Sequence, residues 1–238
     1  MARTVELLWG VSTPRGTRGP RQGLSVAAVT RAALAIADAE GLGAVSMQRV
    51  AKELGYTTMS LYNYVPSKDQ LIELMIDAAT PPPPIPEDGE SWRDEVERWV
   101  RATWGLYHAH RWVLKVPTVN PPLGPNQMAW FEALLHALHR GGLEGAELMA
   151  IAQHILTSTR GQAAISIDLA TGEDGTAAEA NEALRRLATP DRFPTLHGLI
   201  PAAGAGGFHP GAEIYEGLAL GVRLLLDGME GYVRRGAG

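Results

Sequence analysis

Between Thr57 and Tyr64 the sequence TTMSLYNY gathers side chains that hydrogen-bond without carrying charge: Thr58, Ser60, Tyr62, Asn63 and Tyr64. Hydroxyls and a carboxamide present donors and acceptors together, which suits base edges and phosphate oxygens. The rest of the chain offers little competing chemistry. It has no GxSxG, no phosphate-cradling glycine loop and no HExxH, so hydrolase and nucleotide-transfer readings have no residue to rest on. Gly204, Gly206 and Gly207 read as flexible linker. Of the seven histidines, His136 and His139 can share a helix face, yet Glu132 is the one local carboxylate and the chain has no cysteine to complete a metal set. His108 and His110 stand two apart and point away from each other. Neither an enzyme nor a metal or other cofactor is expected.

Positioning those polar side chains requires two short helices around a tight turn, within SMQRVAKELGYTTMSLYNYVPSK, Ser46 to Lys68. Ser46 can cap the first helix, whose Val50, Ala51 and Leu54 form one apolar stripe. Gly55 falls just past the last apolar position, where helices commonly end in a left-handed conformation. Thr57 or Thr58 can cap the second helix, with Leu61 and Val65 on one face, and Pro66 is expected to stop it. Two short helices at an angle across a glycine-containing turn describe a helix-turn-helix. Its simpler alternative is an αα-hairpin with solvated polar residues.

The longer segment AIADAEGLGAVSMQRVAKELGYTTMSLYNYVPSKDQLIELM resembles the DNA-binding domain of the TetR family of repressors. An alanine-rich helix ending in AEGL, then SMQRVAKELG, a turn and SLYNYVPSKDQL carry the resemblance. It implies that Tyr62 and Lys68 contact phosphates, while Thr58, Ser60, Asn63 and Tyr64 face bases, helped by Gln48 and Arg49. Ser46 and Thr57, at the two helix starts, complete the expected DNA-facing set. It further implies an operator in double-stranded DNA, with one such helix from each of two subunits in successive major grooves.

Composition fits a DNA-binding head on a separate body. The chain has 238 residues, 45% of them hydrophobic, and a formal charge of −5. Residues 1–69 hold 8 Lys+Arg against 5 Asp+Glu, whereas residues 70–238 hold 13 against 21. The basic part therefore coincides with the helix-turn-helix, and the acidic part lies behind it. Nothing alternates like a strand, so the fold is expected to be all-α. With no membrane-length apolar run and no signal-like N-terminus, a soluble cytoplasmic protein with no membrane partner is expected.

Residues 1–23 contain Arg3, Arg15, Arg18 and Arg21 without periodicity and read as a basic arm, with order only near Leu7–Trp9. The arm is either a solvated tail or a minor-groove and phosphate contact. The DNA-binding domain takes residues 24–80: Ser25 caps a scaffold helix to about Glu40, and a further helix runs Lys68–Ala79. The prolines at 81–84 and 86 mark a linker over residues 81–90, and residues 91–238 form the second domain. There Ser91 caps a helix running through Trp92, Trp99 and Thr103, and Val113–Val119 gives a turn of helix and a loop. Helices follow over Asn126–Arg140, Ala146–Leu169, Ala177–Leu187 and Gly211–Arg235, while residues 189–211 read as poorly ordered.

Trp99, Trp130 and Phe131, with Met128, Thr103, Asn120 and His154, have the composition of a mostly apolar small-molecule site with a few polar groups. The alternative is ordinary core. By resemblance, the family binds its effector in this region, and the stretch from Gly89 to Pro117 is similar in layout to that of the tetracycline repressor. The chemistry departs from it: the histidine expected to hold the drug's magnesium falls at Pro117, and an asparagine and a phenylalanine fall at Trp99 and Thr103. That speaks against tetracycline; a largely apolar effector is expected because Trp99, Met128, Trp130 and Phe131 offer area while Thr103, Asn120 and His154 offer only a few polar contacts. The two most apolar helices, Ala146–Leu169 and Gly211–Arg235, have more apolar face than one domain of this size consumes. In the TetR family the corresponding pair forms a four-helix bundle with a second subunit, so a homodimer is expected. The contrasting expectation is an all-helical protein–protein adaptor that binds no DNA.

Overall fold

The computed structural model describes residues 2–11, 24–117, 123–171, 186–199 and 210–236. Every regular element among them is helical. The head comprises α1 (Ala2–Leu8), α2 (Val26–Glu40), α3 (Met47–Leu54), α4 (Thr58–Tyr62) and α5 (Lys68–Ala79). The body comprises α6 (Trp92–Ala109), α7 (Pro125–Arg140), α8 (Gly145–Thr171), α9 (Pro194–Leu199) and α10 (Pro210–Gly236). Short 3₁₀ turns at Leu42–Ala44 and Arg111–Lys115 follow α2 and α6.

Serine and threonine caps set most of the starts. Ser25, Ser46, Thr57, Ser67 and Ser91 each accept from the backbone N–H three residues on, which satisfies an otherwise orphaned donor. Gly55 closes α3 at φ 73°, a left-handed conformation that costs glycine little. In the head, Val29, Ala33, Val45, Val50, Leu61, Val65, Leu71 and Met75 form one fully enclosed core. In the body, Val96, Trp99, Trp130, Leu134, Leu138, Ile155 and Leu226 form another. Tyr107, Trp112 and Val113, at the end of α6 and in the turn after it, belong to the head core and so stitch the two together.

Several expectations change. Residues 2–8 are helical rather than part of a loose arm, because α1 docks on α5: Thr4 is buried and its Oγ1 accepts from Gln70 Nε2 at 3.2 Å. Trp9, just beyond, donates its indole N–H to Leu123 O at 3.0 Å. The second helix of the motif ends at Tyr62, before Pro66 can act on it, and Val65 reaches the core from the following turn. The predicted loop over residues 189–211 contains the short helix α9. The piece after α6 is the 3₁₀ turn Arg111–Lys115, whose Val113, Leu114 and Val116 carbonyls all accept from Arg160 Nη2 of α8. Arg15, Arg18, Arg21, Asn120, most of the expected Ala177–Leu187 helix, and residues 200–209 with the expected linker glycines Gly204, Gly206 and Gly207 lie outside the described residues.

Candidate nucleic-acid interface and its link to the body

α4 buries only Leu61, so its other side chains are left to the surface. Met59 is 74% exposed and Tyr62 43%, with Asn63 exposed beside them and Thr58 half-buried. The five polar residues predicted from sequence do not all share this surface. Thr57 Oγ1 and Ser60 Oγ lie 2.8 Å apart and close the helix start, since Thr57 also accepts from Ser60 N at 3.2 Å. Tyr64 is half-buried and packs its ring on the head core. Ser46 spends its hydroxyl on the Arg49 N–H at 3.1 Å. Gln48 and Lys68 are exposed, and Lys68 opens α5.

Arg49 is held differently from an unengaged surface cation. Its guanidinium pairs with Glu53 one turn on and with Glu40 at the end of α2, the latter at 3.0 Å. Hydrogen bonds to Glu53 and Glu40 raise its pKa above the ordinary arginine value. The pair pins α3 to α2 and neutralises part of the positive charge. Sequence reasoning missed Met59 and the exposed Tyr56. The available signal was position: in a helix that buries only Leu61, Met59 must point outward, where a thioether chain suits a thymine methyl.

Besides the Trp9–Leu123 bond, two carboxylate-centred joints tie head to body among the described residues. At the first, Asp77 of α5 is buried and its Oδ1 accepts from the backbone N–H of Asn126 at 3.0 Å and of Gln127 at 3.1 Å. The α7 N-cap is Gly124, which has no side chain to do this, so α5 supplies the cap. The fit is close: a Cβ at Gly124 would lie 2.0 Å from Asp77 Oδ1. Burial raises the Asp77 pKa, and the two backbone hydrogen bonds only partly oppose it. At the second joint, Asp38 Oδ1 of α2 accepts from Trp112 Nε1 at 2.7 Å and is paired with His110 Nδ1 at 2.8 Å.

The predicted effector residues divide between two places. Trp99 and Trp130 are buried and meet edge to face, ring centroids 6.0 Å apart, and Trp99 Nε1 donates to Trp130 O at 2.8 Å. Trp130 Nε1 in turn donates to the Pro81 carbonyl in the linker. Thr103 is buried one turn further along α6, and Phe131 is half-buried beside this core. Met128 points outward, 46% exposed. His154 is exposed on α8 and lines a groove with Ser158, Gln162, Gly217 and Gly221 between α8 and α10, apart from the tryptophans. Helical spacing did not disclose this, because α8 is apolar around much of its circumference.

Residues 29–75 match the family model described as bacterial regulatory proteins, tetR family, and residues 85–233 match the tetracyclin repressor-like C-terminal domain. The HTH-type transcriptional repressor DrrR1 of Streptomyces coeruleorubidus is 45% identical over 152 residues, 63% of this chain and 56% of that protein. The chain thus spans little more than half the length of that relative. An HTH-type transcriptional regulator of Saccharopolyspora erythraea is 30% identical over 178 residues, 74% of this chain and 75% of the relative. Among solved structures, apo ActR from Streptomyces coelicolor superposes with a TM-score of 0.74 at 26% identity, covering 92% of this chain and 100% of ActR. ActR in complex with actinorhodin superposes with a TM-score of 0.72 at 27% identity over 87% of this chain and 96% of ActR.

Proposed function

This chain belongs to the TetR family of bacterial transcriptional regulators, and from that premise we propose that it is a dimeric repressor released from a near-palindromic operator by a small, largely apolar effector. The observation that carries the DNA half is α4 itself: one buried residue, Leu61, and an outward surface of Met59, Tyr62 and Asn63 on the basic part of the chain. Two such helices, one per subunit, fit half-sites about one helical turn, roughly 34–36 Å, or a multiple apart.

Dimerisation is supported by Ile165 and Leu169 on α8 and by Leu220 and Leu224 on α10, large apolar side chains exposed on the two helices expected to pair with a second copy. The effector half is supported by the paired tryptophans of α6 and α7 and by ActR structures in complex with actinorhodin and with (S)-DNPA. Among the described residues no helix is long and apolar enough to cross a membrane, which accords with work on DNA in the cytoplasm.

The effector acts by linkage. A compound that prefers the body with α5 displaced must weaken DNA binding by the same factor, typically about 5- to 150-fold. Asp77 is the residue through which such a displacement passes, because it belongs to α5 and caps α7. The test is a gel shift with DNA flanking the chain's own gene, followed by a screen of hydrophobic compounds for release. A retarded band abolished by a compound supports the proposal. A probe that is never retarded favours the all-helical adaptor.

A further inference from the structure

Thr103 is 4% exposed, and its Oγ1 has no hydrogen-bond partner among the described residues. This is unusual for the chain as well as for proteins in general. Thr30, Thr157, Thr159 and Thr171, all in helices, donate to the carbonyl four residues back at 2.8–3.0 Å. Thr103 has the same option in α6 and does not take it. A second buried, unpartnered polar atom lies on the facing helix: Gln127 Nε2 of α7. Buried polar atoms are rarely left unpaired, so each one asks for a cause.

The helix register places the two at one level. α6 and α7 run antiparallel, with Glu95 ion-paired to Arg140 near one end and Trp99 bonded to the Trp130 carbonyl further along. Thr103 lies four residues beyond Trp99, and Gln127 three residues before Trp130. In antiparallel helices these steps lead the same way, by about 6 Å and about 4.5 Å at the helical rise. Both residues also continue the inward stripes of their helices, Val96–Trp99–Thr103 and Gln127–Trp130–Leu134.

The geometry points to a polar subsite in which Thr103 Oγ1 and Gln127 Nε2 hold one carbonyl oxygen of an aromatic ketone whose ring system lies against the tryptophans. The amide nitrogen can only donate and the hydroxyl can donate, so the shared partner is an acceptor. Arg160 of α8, beside Tyr107 one turn on from Thr103, is committed to three carbonyls, so a neutral acceptor fits better than a carboxylate. This subsite rests on the effector reading and specifies its chemistry. It also gives the effector a route to the head: the residue whose side chain holds the carbonyl, Gln127, has its own N–H bonded to Asp77 of α5 at 3.1 Å.

Equilibrium dialysis of the full chain with 2-acetylnaphthalene and with 2-ethylnaphthalene, its carbonyl-free counterpart, tests the subsite. The native protein should prefer the ketone by about tenfold, the scale of one or two net hydrogen bonds. Thr103→Val, equal in shape, and Gln127→Leu should each bring the two affinities together, while 2-ethylnaphthalene binds native and variant proteins alike. Binding of both compounds to the native protein without preference, or a preference that survives both variants, overturns the subsite and leaves the effector reading standing. Failure of both compounds to bind overturns the effector reading and the subsite with it.

Discussion

Asp77 and Asn126 are bonded twice across the boundary between head and body: Asp77 Oδ1 accepts from the Asn126 backbone N–H at 3.0 Å, and Asn126 Nδ2 donates to the Asp77 carbonyl at 2.9 Å. A helix start on one side is thereby completed by a carboxylate from the other, with Gly124 leaving room for it. The C-terminal turn of α5 and the start of α7 are held together by these bonds.

Asp77→Ala should lower stability by about 1 kcal/mol, the usual loss for a helix cap, measured by urea unfolding. Asp77→Asn keeps an acceptor oxygen and should lose less. Both proteins should still bind operator, but a releasing compound should shift the DNA affinity of the alanine variant less than that of the native chain. Equal release in the two would remove Asp77 from the switch.

The same carboxylate gives a pH prediction. Burial raises its pKa in the folded state above the ordinary aspartate value of 3.8. The folded protein therefore holds the proton more tightly than the unfolded chain. The associated stability is fully present below the unfolded pKa and is lost as pH rises through the folded one. Asn at position 77 cannot titrate. The unfolding free energy of the native protein relative to Asp77→Asn should fall from pH 4 upward and level off once Asp77 is ionised. Glu73, raised mainly by burial and further by Asp69, contributes in the same direction to both proteins and cancels in the comparison.

The helix-turn-helix was legible in sequence because each of its parts is local: Ser46, Gly55, Thr57 and Ser67 each act within three or four residues of themselves. The two joints were not, since Asp77 and Asn126 lie 49 residues apart and Asp38 and Trp112 lie 74 apart, and no periodicity ties them. Arg49 shows the same limit. The family resemblance implied a DNA contact for it, whereas the fold surrounds it with Glu40 and Glu53. For the body, the inward stripe through Trp99 and Thr103 could be read, but His154 sits on a helix with apolar residues on several faces, and composition does not say which face meets which neighbour.

The N-terminal segment separates into two parts with different expected effects. Replacing Arg15, Arg18 and Arg21 together by alanine should reduce the salt dependence of DNA binding if those residues reach phosphates, without altering thermal stability. Deleting residues 1–11 should instead lower the melting temperature, because α1 and Trp9 clasp α5 and Leu123. Thermal scans and salt titrations of both variants distinguish a DNA-contacting arm from a clasp; an unchanged melting temperature on deletion would count against the clasp.

At the DNA surface, three substitutions should give three distinct signatures. Lys68 is exposed at the start of α5 and makes no ion pair among the described residues, so its charge is available to a phosphate. Lys68→Ala should weaken all sequences alike and lower the magnitude of the slope of log K against log salt by about 1. Asn63, exposed beside Tyr62 with a carboxamide suited to adenine, should behave otherwise: Asn63→Ala should relax preference at one operator position and leave the salt slope unchanged. Arg49→Ala removes a cation already paired with two carboxylates. It should therefore change the salt slope less than Lys68→Ala does, and its main cost should be a looser α2–α3 contact. Fluorescence anisotropy across a salt series, with native and singly substituted operators, measures all three. A salt slope more sensitive to Arg49 than to Lys68 would mean that the guanidinium leaves Glu40 and Glu53 for a phosphate when DNA binds.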